Sequence, residues 1–136
     1  MQNKIQVFID GAARGNPGPA GIGIAVLDHD KIIKEFADYI GETTNNVAEY
    51  TALLRGLEET LLLGYKEADF FSDSELLVKQ LKGEYRVKDE KLKPLFMNAQ
   101  MLAKRFKHFS ITHIRREKNK LADELANLGI DKKTKA

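Results

Sequence analysis

The strongest constraint on this chain is a change of hydrophobic period near Thr43. Before it, apolar residues recur every second position. After it, they recur at helical spacing, interrupted by short strand-like runs. Ile5, Val7 and Ile9 alternate with Gln6, Phe8 and Asp10, which predicts a strand ending at Asp10. Gly21 to Leu27 and Lys31 to Ile40 predict two more strands, joined by the turn Asp28-His29-Asp30. The run Gly15-Asn16-Pro17-Gly18-Pro19 specifies a turn and excludes helix and strand, because proline lacks a donor and glycine suits turn backbone. Short turns make the three strands an antiparallel meander.

In the second regime, Thr43 to Asn46 offers N-cap residues, and Val47, Tyr50, Leu54, Leu57 and Leu61 mark a helix running to Leu63 and closed by Gly64. A strand is expected at Ala68 to Ser72 and a helix at Ser74 to Leu81. A third helix follows Pro94, from Leu95 to Phe106, and a strand covers Phe109 to Ile114. A last helix capped by Asn119 would turn Leu121, Leu125 and Leu128 to one face, followed by a basic, frayed tail from Asp131 to Ala136. Strands separated by helices pair in parallel through right-handed crossovers. The expectation is an α/β fold: a five-stranded mixed sheet, antiparallel over its first three strands and then parallel, flanked by helices. With no repeat, linker or low-complexity segment, residues 1–136 read as one domain.

Cysteine is absent, which removes disulfides, thiolate metal sites and a cysteine nucleophile. No apolar run approaches the ~18–20 residues of a membrane span, and the N-terminus lacks a basic start with an apolar run behind it. A cytoplasmic protein is expected, and a monomer, since no exposed apolar stripe stands out. Charge is uneven: residues 1–78 hold 6 Lys/Arg against 13 Asp/Glu, and residues 79–136 hold 16 against 7. Such a distribution suits a protein that holds cations beside a polyanion, and equally a solvated surface that is uneven by chance.

Ligand sites in open α/β sheets lie at the carboxyl ends of strands. Asp10 and Asp73 end the first and fourth predicted strands. Glu49 and Asp123 fall in the first turns of the first and last long helices. Together they can converge on one rim. Four carboxylates in one place need cations, and hard oxygen donors select Mg²⁺ or Mn²⁺. Two such ions ~3.5–4 Å apart clamp the attacking and leaving oxygens of a phosphoryl displacement. Taken singly, an acidic residue at such a place is usually a cap, a dipole partner or a solvated charge, and only the convergence of four points to metal.

Four segments carry a resemblance. They are Ile9-Asp10-Gly11-Ala12 with Gly15 to Pro19, Thr44-Asn45-Asn46 with Ala48-Glu49, Ser72-Asp73-Ser74, and Ala122 to Ala126 around Asp123. In this order and spacing the chain resembles ribonuclease H type 1 along nearly its whole length. The resemblance implies a metal-dependent endoribonuclease cutting the RNA strand of RNA–DNA hybrids with two Mg²⁺, or Mn²⁺ in their place. Its products would be 5′-phosphate and 3′-hydroxyl ends. Asp10 would bridge both metals, Asp123 would complete one site, and Glu49 and Asp73 the other. Asn16, Thr44 and Asn45 match backbone-gripping positions, with Asn46 at the same helix N-terminus. Ser74 matches a position near the minor groove, and Gly11 would admit the RNA backbone. Helix capping explains Thr44, Asn45 and Ser74 equally well.

The chain departs from that pattern in two places. Lys79 to Lys93 is too short for the basic handle of many relatives, though Lys79, Lys82, Arg86, Lys88, Lys91 and Lys93 leave a basic strip. Ile114 to Asn119 lacks the loop histidine, leaving Arg116 or Glu117 in that region. Arginine does not titrate near neutral pH, so Arg116 would position phosphate or screen charge. His113 is assigned to packing or a local hydrogen bond, and Glu75 to a changed substrate fit or a capping box with Ser72. Two alternatives stay open: a module that binds hybrid or structured RNA without cutting it, and the same chemistry on double-stranded RNA.

Overall fold

The computed structural model describes residues 4–135. Three strands, β1 (Ile5–Ala13), β2 (Gly18–Asp28) and β3 (Lys31–Thr43), precede helix α1 (Asn45–Leu62). Strand β4 (Glu67–Ser72), helices α2 (Glu75–Leu81) and α3 (Lys93–Ala103), strand β5 (His108–His113) and helix α4 (Lys120–Asp131) follow. The sheet order is β3-β2-β1-β4-β5. β1–β2 and β2–β3 are antiparallel, while β1–β4 and β4–β5 are parallel, as the change of period requires. Among the described residues no helix is long and apolar enough to cross a membrane.

Alternation along β1 sends Ile5, Val7 and Ile9 into the core with Ile22, Ile24, Val26 and Phe70, where Leu53 and Leu57 of α1 cover them. The other sheet face receives α4, which approaches β2 at Gly21 and Gly23. A Cβ added at Gly23 would stand 2.3 Å from the Ala122 carbonyl oxygen, and one at Gly21 2.5 Å from that of Ala126. Backbone therefore packs directly on backbone.

Several boundaries differ from the sequence expectation. The turn between β1 and β2 is shorter than Gly15 to Pro19: Gly18 and Pro19 already belong to β2, paired with Thr43 and Glu42. Asp10 does not end β1, which continues to Ala13 beside β2. α3 begins earlier and stops at Ala103, so Phe106 enters the core from the following turn, edge-on to Phe70 at 6.2 Å. The buried side of α4 is Ala122, Leu125, Ala126, Gly129 and Ile130. Leu128 is 49% exposed, because close approach to the sheet selects small residues rather than a leucine stripe.

His113 is exposed, not packed. Glu75 makes an ion pair with Lys79 at 3.6 Å rather than a capping box, since Ser74 is the N-cap of α2. The start of the tail contacts the body of the domain: Asp131 meets Arg14 at 2.7 Å, and Lys133 meets Glu42 at 3.9 Å. Ala136, which ends the predicted tail, lies outside the described residues. Leu62, Met97 and Met101 are exposed on α1 and α3, so apolar side chains do reach the surface there.

Candidate active site

The parallel pairing of β1 with β4 ends at Ile9 and Ser72. Asp10 follows on β1, and Asp73 is the first residue after β4. There β1 runs on beside β2, while β4 turns into α2, and the two carboxylates stand at the fork. α1 brings Glu49 one turn inside its N-terminus rather than in the first turn. α4 brings Asp123 in its first turn. Ligand oxygens of Asp10, Glu49 and Asp73 all lie within 4.8 Å of one another. A depression of about 270 Å³ is lined by these three with Asp123, Gly11, Ala12, Asn45 and Arg116.

Glu49 is seated by the backbone of β1: the Gly11 N–H donates to its Oε1 at 2.6 Å. Gly11 also lets α1 approach, since a Cβ there would stand 2.2 Å from the Ala48 carbonyl oxygen and 2.5 Å from the Glu49 nitrogen. The glycine is thus required by helix packing, whatever approaches from outside. Arg116, 81% exposed, reaches Asp123 at 3.9 Å.

Charge is poorly tolerated here. Burial pushes the Asp10 carboxyl up to about 10, and the Glu49 and Asp73 charges add to the effect. Burial also pushes Glu49 up to about 8, against the opposing Gly11 hydrogen bond and with the Asp73 charge raising it further. Asp73 is raised by burial as well, opposed by a hydrogen bond from the Asn119 amide. Near neutral pH the protein by itself relieves this repulsion by holding protons. Divalent cations would relieve it better, and an all-oxygen carboxylate donor set fits a hard ion such as Mg²⁺ or Mn²⁺.

Around the acidic group, Asn45 and Asn16 lock the β1–β2 turn to α1. Asn45 Oδ1 accepts from the Ala13 N–H at 2.8 Å, and Asn16 Oδ1 accepts from the Asn45 N–H at 3.0 Å. Helix capping falls instead to Thr44, whose Oγ1 accepts from the Val47 N–H at 3.2 Å. Both asparagines thus engage the protein through their oxygens. Asn46 is exposed in the first turn of α1, and Ser74 caps α2 by accepting from Leu77, so neither lines the depression.

Sequence reading missed two residues. Ala12 lines the depression and carries no chemical signal of its own. Asn119 is buried beside the cluster but was read only as a cap; a polar residue four positions before Asp123 was the available sign.

Comparison with known proteins follows the same lines. A family model described as reverse transcriptase-like matches residues 8–129. The chain is 34% identical over 146 residues to the ribonuclease H of Pseudomonas savastanoi pv. phaseolicola, covering 96% of this chain and 95% of that protein. It is 42% identical to a bifunctional protein of Mycobacterium tuberculosis, of which it spans 36%. In structure it is similar to LC11-RNase H1 solved in complex with an RNA/DNA hybrid. The TM-score there is 0.91 at 47% identity, over 96% of this chain and 99% of that one.

Proposed function

The chain belongs to the ribonuclease H family, and from that premise we propose that it is a metal-dependent endoribonuclease hydrolysing the RNA strand of RNA–DNA hybrids. Three carboxylates, drawn from chain segments far apart in sequence and brought within 4.8 Å, carry this assignment. Neither helix capping nor solvation calls for such a group, and its burial disfavours it without cations.

Asp10, Glu49, Asp73 and Asp123 would hold two Mg²⁺. When bound, the ions supply a nucleophilic water and stabilisation of the departing oxygen. Hydrolysis in which the 3′-oxygen departs leaves 5′-phosphate and 3′-hydroxyl ends. The work of the chain is placement. The Gly11 N–H fixes the Glu49 oxygen. Asn16 and Asn45, held by their oxygens, keep amide N–H groups for backbone phosphates beside the α1 N-terminus. Arg116 offers a cation beside Asp123, where phosphate charge accumulates. Backbone contacts carry no base identity, so discrimination would rest on the 2′-hydroxyl in the wide minor groove.

The test is cleavage of end-labelled hybrid, double-stranded RNA and DNA duplex with Mg²⁺, Mn²⁺ or EDTA, beside Asp10→Asn. Metal-dependent cutting of the hybrid's RNA strand, absent in the variant, is expected. Binding without cutting under every metal condition would make the chain a recognition module. Preferential cutting of double-stranded RNA would move the substrate.

A further inference from the structure

Resting on the metal-dependent reading above, we infer that Asn119 is a positioning residue that fixes the spacing of the carboxylate cluster and thereby its affinity for divalent ions. It occupies the N-cap of α4, where an asparagine oxygen ordinarily accepts from a helix N–H. Here the side chain makes no capping bond. Its Nδ2 instead donates to the Ile9 carbonyl at 2.9 Å, joining positions 110 residues apart. Its backbone carbonyl accepts from the Asp123 N–H at 3.0 Å, the first bond of the helix, which places Asp123 one turn beyond it. The side chain therefore ties the start of α4, one turn before Asp123, to the peptide that precedes Asp10, and its amide lies on the side of the Asp73 carboxyl, whose charged form it favours. It thus joins the strand that carries Asp10 to the helix that carries Asp123.

Burial strengthens the case. Asn119 is 1% exposed, and its Oδ1 has no hydrogen-bond partner among the described residues. A residue serving only the helix would turn that oxygen to the free N–H groups of the first turn. This one leaves its acceptor desolvated while its donors face the acidic strands. A buried tie between α4 and the peptide that precedes Asp10 holds the carboxylates against their mutual repulsion when ions are absent and fixes their separation when ions bind. Groups that orient ligands in this way typically change metal affinity or activity 10–100-fold when removed.

The test is Mn²⁺ binding by calorimetry on substrate-free protein. Asn119→Leu keeps the number and branching of side-chain heavy atoms and removes the donors. Asn119→His keeps a ring N–H. Positioning predicts Mn²⁺ binding 10–100-fold weaker in Asn119→Leu and near-native binding in Asn119→His. For Asn119→Leu, kcat falls at limiting Mg²⁺ and recovers as Mg²⁺ rises, with KM for hybrid unchanged. Native Mn²⁺ affinity in folded Asn119→Leu overturns the inference. So does loss in Asn119→His as large as in Asn119→Leu. Should Asn119→Leu not fold, Asn119→His decides alone: native affinity supports the inference and weakened affinity overturns it. Absence of Mn²⁺ binding by the unaltered protein sinks the metal-dependent function first, and this inference with it.

Discussion

Replacing Asp10 by asparagine should stabilise the metal-free protein while abolishing cleavage. Asp10 is 5% exposed, and its carboxyl is raised from 3.8 to about 10, first by burial and then by the Glu49 and Asp73 charges. A raised carboxyl makes the folded state hold a proton that the unfolded chain releases. Between those two values, folding therefore loses ~1.36 kcal/mol for each unit of rising pH. Below about pH 4 both states are protonated and the cost vanishes. At pH 7, some three units above 3.8, it reaches ~4 kcal/mol.

Asparagine copies the shape of the protonated acid and needs no proton, so the variant is freed of this cost. For a chain of this size, ~4 kcal/mol corresponds to roughly 10–20 °C in Tm. Thermal or urea unfolding in EDTA, at several pH values from about 4 to 8.5, measures the gap. It should open with pH, and Mg²⁺ should narrow it by stabilising the unaltered protein, more strongly at higher pH. A variant no more stable than the parent at pH 8, or a gap that persists unchanged at pH 4, would refute the reasoning.

Three further outcomes follow from the geometry. Gly11→Ala forces α1 off β1, given the 2.2 Å approach to the Ala48 carbonyl oxygen. It should cost about 1–3 kcal/mol in urea unfolding and remove cleavage by displacing Glu49; native stability would mean the contact yields easily. Asn45→Ala loses an exposed bond to the Ala13 N–H and should cost no more than ~1 kcal/mol of stability. In steady-state kinetics its KM for hybrid should rise with kcat nearly unchanged. Arg116→Ala, at an 81% exposed side chain, should leave Tm unchanged. It should lower the slope of log K against log salt in hybrid binding by about one, and an unchanged slope would remove Arg116 from the phosphate path.

The sheet was legible because its period is local. Alternation at Ile5, Val7 and Ile9 and helical spacing from Val47 to Leu61 are written in consecutive residues. The convergence of Asp10, Glu49, Asp73 and Asp123 on one depression was legible once the strand order was inferred, since carboxyl ends of parallel neighbours share a rim. What stayed hidden depends on contacts between distant segments. β1 passes Asp10 because β2 continues to pair with it. α3 stops at Ala103 because Phe106 is drawn to Phe70 and Phe109. Leu125 is buried as expected, but Leu128 is not, because α4 approaches the sheet closely at Gly21 and Gly23 through small residues. Asn119 looked like a cap because its partner, Ile9, lies at the other end of the chain.

Those same backbone contacts explain how a repelling cluster keeps its shape. Side chains packed on side chains can yield by changing rotamer, and like charges would then spread apart. Here α1 meets β1 at Gly11, and α4 meets β2 at Gly21 and Gly23, where helix backbone stands against strand backbone and rotamer changes offer little relief. Glu49 and Asp123 are carried by helices that shift only by lifting whole turns from the sheet, which exposes core apolar surface such as Leu53 and Ala126. Repulsion between the carboxylates is thus opposed by the hydrophobic core itself, and it is left to be relieved by protons or by cations rather than by movement.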